Sequence, residues 1–254
     1  MAKKPANPYP RPTPAQEPLV AKLAERALGP GPLKPDATPS LIDEADPDFK
    51  PLRRELFPVL PGVELKERAL GTVISMLSPE QIARVFGSQK QAVETGFTMQ
   101  RSGTVLNALQ IEACRFENAE LAEAVVAAMP RMRIFFQYSR WCVSLIPAQR
   151  LDQMLMTFTE KWNPGKDVLT WMLLEDHTAW SPELSRRILD GIINAGTQPR
   201  HLIFTWGGNG VANNLHPTVI EEALVTLKPW AKTQANAKRW STKLKARRKS
   251  LTGE

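Results

Sequence analysis

The 254-residue chain is poor in the residues that build most catalytic and metal centres, with two cysteines, three histidines and two tyrosines. Cys114 and Cys142 form no close-spaced pair, which excludes a Cys-x-x-Cys redox or zinc motif. Two isolated thiols in apolar surroundings suit buried, unbridged cysteines in a reducing cytoplasm. His177, His201 and His216 stand 24 and 15 residues apart, a spacing that excludes a helical two-histidine metal pair. No apolar run approaches the roughly 18–20 residues of a membrane span. The start, Met1-Ala2-Lys3-Lys4-Pro5, lacks an apolar stretch and does not read as a secretory signal. A Gly-x-Ser-x-Gly elbow and a phosphate-binding loop are both missing. No enzymatic activity, cofactor, metal or small-molecule substrate is implied.

What is present is unevenly spread. Fourteen of the 22 prolines fall before Gly62, and all seven tryptophans lie between Trp141 and Trp240. The net charge of +7 is concentrated too: residues from Lys228 onward sum to +8, leaving a body near −1. Residues 1–62 therefore read as a proline-rich, disordered tail or linker, because frequent proline removes backbone donors and fixes φ. Glu17–Leu28 is the exception. Leu19, Val20, Leu23, Ala24 and Ala27 recur at helical spacing, so this segment can form a transient helix that docks into a partner's groove or back onto the body.

From Val63 the pattern becomes helical. Leu65, Ala69, Val73 and Leu77 step by four along one face. Ser78-Pro79-Glu80-Gln81 then reads as a capping box with proline in the first turn, and Gly87 closes that helix after Ile82, Val85 and Phe86. Val105, Leu106, Leu109 and Ala113, followed by Leu121, Val125, Val126 and Met129, continue the periodicity. No segment alternates with period two, so the expected fold class is all-α.

A longer period lies beneath this pattern. Pro147, Pro182 and Pro217 are each 35 residues apart, and each is followed by a helical sequence. Pro130, Pro164 and Pro199 form a second series, while Phe136, Trp171, Trp206 and Trp240 form an aromatic one. About 35 residues accommodate two helices of three to four turns with their loops. Such a hairpin cannot bury its apolar face alone, so successive units stack. The expected organisation is a helical-repeat domain over 63–227 and a basic amphipathic helix over 228–254.

The spacing is similar to that of the α-solenoid superfamilies: HEAT, armadillo, tetratricopeptide and pentatricopeptide repeats. The resemblance covers Pro130 to Leu227 best. The small residues at fixed tetratricopeptide packing positions are absent, and the Thr170-Trp171 and Thr205-Trp206 pairs resemble the pentatricopeptide pattern with a longer turn. Trp180-Ser181-Pro182-Glu183-Leu184-Ser185-Arg186 also resembles segments of an uncharacterised bacterial helical-repeat family encoded near MoxR-type AAA+ ATPases. The resemblance implies a scaffold or adaptor whose helical-repeat surface engages a protein partner.

Two candidate sites follow. Trp230, Ala237, Trp240, Leu244 and Leu251 trace a narrow apolar seam, surrounded by Lys238, Arg239, Lys243, Lys245, Arg247, Arg248 and Lys249. A helix docking by that seam and showing its charge outward suits an anionic partner, with nucleic acid as the alternative to a protein. Its alternative role is only to cap the repeats. Gly207, Gly208, Asn209 and Gly210 form a special-loop candidate. Glu175-Asp176-His177 reads as a solvated helix end, and Asp46 with Asp48 and Glu221 with Glu222 read as solvated carboxylates.

Overall fold

The computed structural model describes residues 9–33, 40, 42–43, 45–56, 65–99, 102–131, 139–160, 170, 173–174, 177, 180–194 and 210–253. Among them are thirteen α-helices, two short 3-10 turns and no strand. The protein is all-α. The chain divides into two compact units, Met1–Ile146 and Pro147–Glu254.

In the first unit, α1 (Glu17–Leu28) places Pro18 in its opening turn, where the missing N–H is not needed. It buries Val20, Leu23, Ala24 and Ala27, the i, i+3, i+4, i+7 face of an amphipathic helix, and packs on α3 (Leu65–Ile74). A short helix, α2 (Phe49–Leu56), buries Phe49, Leu52 and Leu56. The described parts of residues 1–62 thus differ from the open tail expected there, except for Glu17–Leu28, which forms the expected helix and takes the option of docking back onto the body. Five apolar side chains on α1 bury enough surface, at about 1.5–3 kcal/mol per large side chain, to offset ordering a segment already stiffened by proline.

An arginine clasp fixes the entry to α1. Arg11 Nε and Nη2 donate to the carbonyls of Arg115 and Phe116 at 3.1 and 3.0 Å, at the C-terminal end of α6 (Ser102–Phe116). Arg115 is buried and reaches the other way, donating to the carbonyls of Ser75 (2.9 Å) and Pro10. Its guanidinium lies 5.5 Å from the centroid of the Tyr9 ring. A cation beside the carbonyl end of a helix also complements its dipole. After α1, the chain runs close against the end of α4 (Pro79–Phe86). Gly31 has φ +79°, and a Cβ there would stand 2.8 Å from the Arg84 carbonyl oxygen.

The capping box at Ser78 and Gln81 forms as expected, and Ile82, Val85 and Phe86 are buried before Gly87. Next come α5 (Gln89–Thr98), α6, α7 (Ala119–Ala128) and α8 (Ser139–Leu145). The central helix is α6: it packs on α3, α5, α7 and α8, and every residue from Ala108 to Arg115 is buried. A helix covered on all sides must bury its polar side chains as well. Here those are Gln110, Glu112 and Arg115.

In the second unit, α9 (Ala148–Phe158) begins directly after Pro147, and α10 (Pro182–Asn194) begins at Pro182. The short α11 (Gly210–Asn214) is followed by a 3-10 turn starting at Pro217, which leads into α12 (Ile220–Ala231) and α13 (Ala235–Thr252). Each of the three prolines therefore stands at a helical start. Packing follows the order α9 on α10 and α10 on α12, while α13 lies against both α11 and α12. Of the aromatic series, Trp240 is buried; Phe136, Trp171 and Trp206 lie outside the described residues, as do Pro164 and Pro199.

Candidate anionic-partner interface

The C-terminal helix α13 is held by one side. Ala237, Trp240 and Leu244, spaced three and four apart, are buried against the second unit. Two arginines reinforce this contact. Arg247 Nη1 donates to the carbonyl of Leu215 at 2.6 Å and reaches that of Ala212 at 3.5 Å, satisfying the exit of α11. Burial lowers its pKa from the ordinary arginine value. Arg248 pairs with Glu221 at 3.0 Å, tying the end of α13 to the first turn of α12.

The seven basic candidates separate accordingly. Lys238, Arg239, Lys245 and Lys249 are exposed, whereas Lys243, Arg247 and Arg248 are half-buried. Arg247 faces its own unit rather than outward, which corrects its place in the expected ring of outward charge. A buried carbonyl end needs a donor more than solvent needs another cation. Leu251 keeps the angular position of the seam but is 56% exposed. The four exposed cations have no acidic partner among the described residues, and no acidic residue occurs on α13 itself.

At 1.5 Å and 100° per residue, Lys238, Lys245 and Lys249 fall within a sector of about 40° and span about 16 Å. Arg239 flanks this row. Between the charges lie the exposed Thr242, Ala246 and Ser250, so nothing bulky separates an approaching anion from the ammonium groups. The result is a straight cationic ridge on a helix whose opposite side is anchored.

Gly207, Gly208 and Asn209 lie outside the described residues, and Gly210 opens α11. His201 also lies outside them. His177 does not sit at a solvated helix end. It is buried, with Nε2 3.2 Å from Asp152 Oδ1, and burial lowers its pKa despite that carboxylate. Asp46 and Asp48 are not simply solvated either: they pair with Arg26 and Lys22 at 2.5 and 2.7 Å, and the Arg26 hydrogen bond lowers the Asp46 pKa.

A polar cluster in the first unit has no counterpart in the sequence expectations. Glu112 is fully buried, and both its oxygens lie 3.4 Å from Asn118 Nδ2. Asn118 also donates to Gln89 Oε1 (3.1 Å), and its own Oδ1 caps α7 through the Leu121 N–H. Burial raises the Glu112 pKa to about 8, so the carboxyl is protonated at neutral pH. The only advance signal was the Asn-x-x-Leu cap at Asn118, because Glu112 sits unannounced among apolar residues.

No group of three or more His, Cys, Asp and Glu side chains that could hold a metal occurs among the described residues. No described helix is long and apolar enough to cross a membrane. Family models, curated proteins and solved structures provide no match to the chain.

Proposed function

We propose that the chain is a non-enzymatic, cytoplasmic binding scaffold whose stacked helical hairpins engage a protein partner along their surface. A recurring joint in the second unit carries this reading. The backbone N–H of Ser181, just before Pro182, donates to Asp152 Oδ1 on α9 at 2.9 Å. Thirty-five residues later, the N–H of His216, just before Pro217, donates to Ser185 Oγ on α10 at 2.8 Å. In both cases the start of one helix is held by a polar side chain on the preceding helix of the series. A joint repeated at the sequence period supports an α-solenoid arrangement, whose side chains from successive units converge on one partner. The unbridged, buried Cys114 and Cys142 fit a reducing compartment.

The test is hydrogen exchange on the scaffold with a bound partner. Protection is expected at equivalent positions of successive hairpins in the second unit. Protection confined to a single helix, or failure to recover any partner, counts against the scaffold. The cationic ridge on α13 favours a second reading, nucleic-acid binding through the C-terminal helix.

A further inference from the structure

We infer that the outward face of α13 binds the phosphodiester backbone of a nucleic-acid duplex, independently of base sequence. This rests on the second reading, nucleic-acid binding through the C-terminal helix, and names the form of nucleic acid it takes. Lys238, Lys245 and Lys249 form a row about 16 Å long, flanked by Arg239. A duplex strand presents a charge about every 3.4 Å along its axis, so such a row can follow several phosphates. All four cations are exposed with no acidic partner among the described residues. The carboxylate reaching α13 from its neighbour, Glu221, is engaged with Arg248 and leaves the ridge unneutralised.

The character of the face selects among anionic partners. Protein interfaces are depleted in lysine and depend on buried aromatic or aliphatic anchors. The large exposed hydrophobics among the described residues are Val225, on α12, and Leu251. At 100° per residue Leu251 lies nearly opposite the lysine row, so it offers no anchor on this face. Single-stranded nucleic acid is held by stacking its bases on exposed aromatics. Trp240, the aromatic of α13, is buried in the anchoring side. What the face does offer is charge, small spacers and rigidity. Trp240, Leu244, Arg247 and Arg248 immobilise the helix before any ligand arrives, which reduces the ordering cost of binding.

The experiment titrates the full chain with generic DNA duplex, RNA duplex, single-stranded DNA and poly-glutamate, following anisotropy across salt concentration. Duplex binding is expected to weaken by ~10²-fold between about 50 and 200 mM salt, as about four phosphate contacts require. The triple variant Lys238→Ala/Lys245→Ala/Lys249→Ala should lose about 0.9 of salt slope per lysine. It should remain helical by circular dichroism, because alanine favours helix at least as well as lysine. Duplex binding unchanged in this variant would overturn the assignment to α13. Tighter binding of the single strand would overturn the duplex. Binding of poly-glutamate but no nucleic acid would overturn the phosphate assignment while leaving a scaffold for an acidic protein. If no polyanion binds, the phosphate assignment fails and the hydrogen-exchange measurement still tests the scaffold independently.

Discussion

Each unit buries a titratable side chain in a polar joint, and the two respond to protons in opposite directions. In the first unit Glu112 is an acid whose pKa is raised by burial, so the folded state holds a proton that the unfolded chain releases. In the second, His177 is a base whose pKa is lowered by burial, so the folded state sheds a proton that the unfolded chain binds. Desolvation is the same force in both, and it always favours the neutral form. What differs is which form is neutral. One molecule can therefore contain a part that weakens with alkali and a part that weakens with acid.

The largest expected effect breaks the first unit at its clasp. Arg115→Ala leaves the carbonyls of Ser75 and Pro10 without that buried donor and removes the contact with Tyr9. A loss of ~3–5 kcal/mol is expected, because each stranded carbonyl costs about 1–3 kcal/mol, and is measured by denaturant unfolding followed through hydrogen exchange of α6 amides. A loss below ~1 kcal/mol would show that the N-terminal segment adds little to this unit.

Between about 4.5 and about 8 the folded first unit holds the Glu112 proton and the unfolded chain does not. Its stability should therefore fall with rising pH by ~1.4 kcal/mol per unit and level off beyond that range. Glu112→Gln keeps an acceptor for Asn118 and should abolish the slope. For the second unit the sign reverses: stability is present above the ordinary histidine value of 6.5 and is lost as pH falls below it, towards the lowered folded value. Tryptophan fluorescence reads that unit, since every tryptophan except Trp141 belongs to it. Parallel pH responses of the two probes would break the comparison.

A smaller effect sharpens the role of the repeated joint. Asp152→Ala removes the acceptor of both His177 and the Ser181 N–H, and ~1–3 kcal/mol of stability should go with it. The smallest predicted effect has the opposite sign. Neither amide atom of buried Gln110 has a hydrogen-bond partner among the described residues, so Gln110→Met should stabilise the first unit by ~1–2 kcal/mol in thermal unfolding. Destabilisation there would mean that the amide is satisfied in solution.

Features governed by local chemistry were legible beforehand. Glu17–Leu28 is helical over the expected span, the Ser78 capping box forms, and Pro147, Pro182 and Pro217 stand at helix starts. Each depends on residues within one or two turns of one another. Docking of α1 on the body was one of two readings open for that segment, whereas the clasp between Arg11 and Arg115 and the joint between Asp152 and Ser181 were not legible. Their partners are separated by 29 to 105 residues, and nothing in a short window marks them. The basic helix lies between these cases. Its apolar seam was readable at Ala237, Trp240 and Leu244, but the place of Trp230 on α12, the inward turn of Arg247 and the exposure of Leu251 were not.

The sequence by itself determined the helical class, several helix starts and the concentration of positive charge at one end, because capping, proline geometry and apolar periodicity act locally. Tertiary structure decided which charges are available. Arg115 and Arg247 are drawn inward because helix ends expose carbonyls that require donors, while Lys238, Lys245 and Lys249 remain in water on the side that packing leaves uncovered. Identical formal charges thus became structural ties in one place and an exposed cationic face in another, according to which backbone oxygens folding brought within reach.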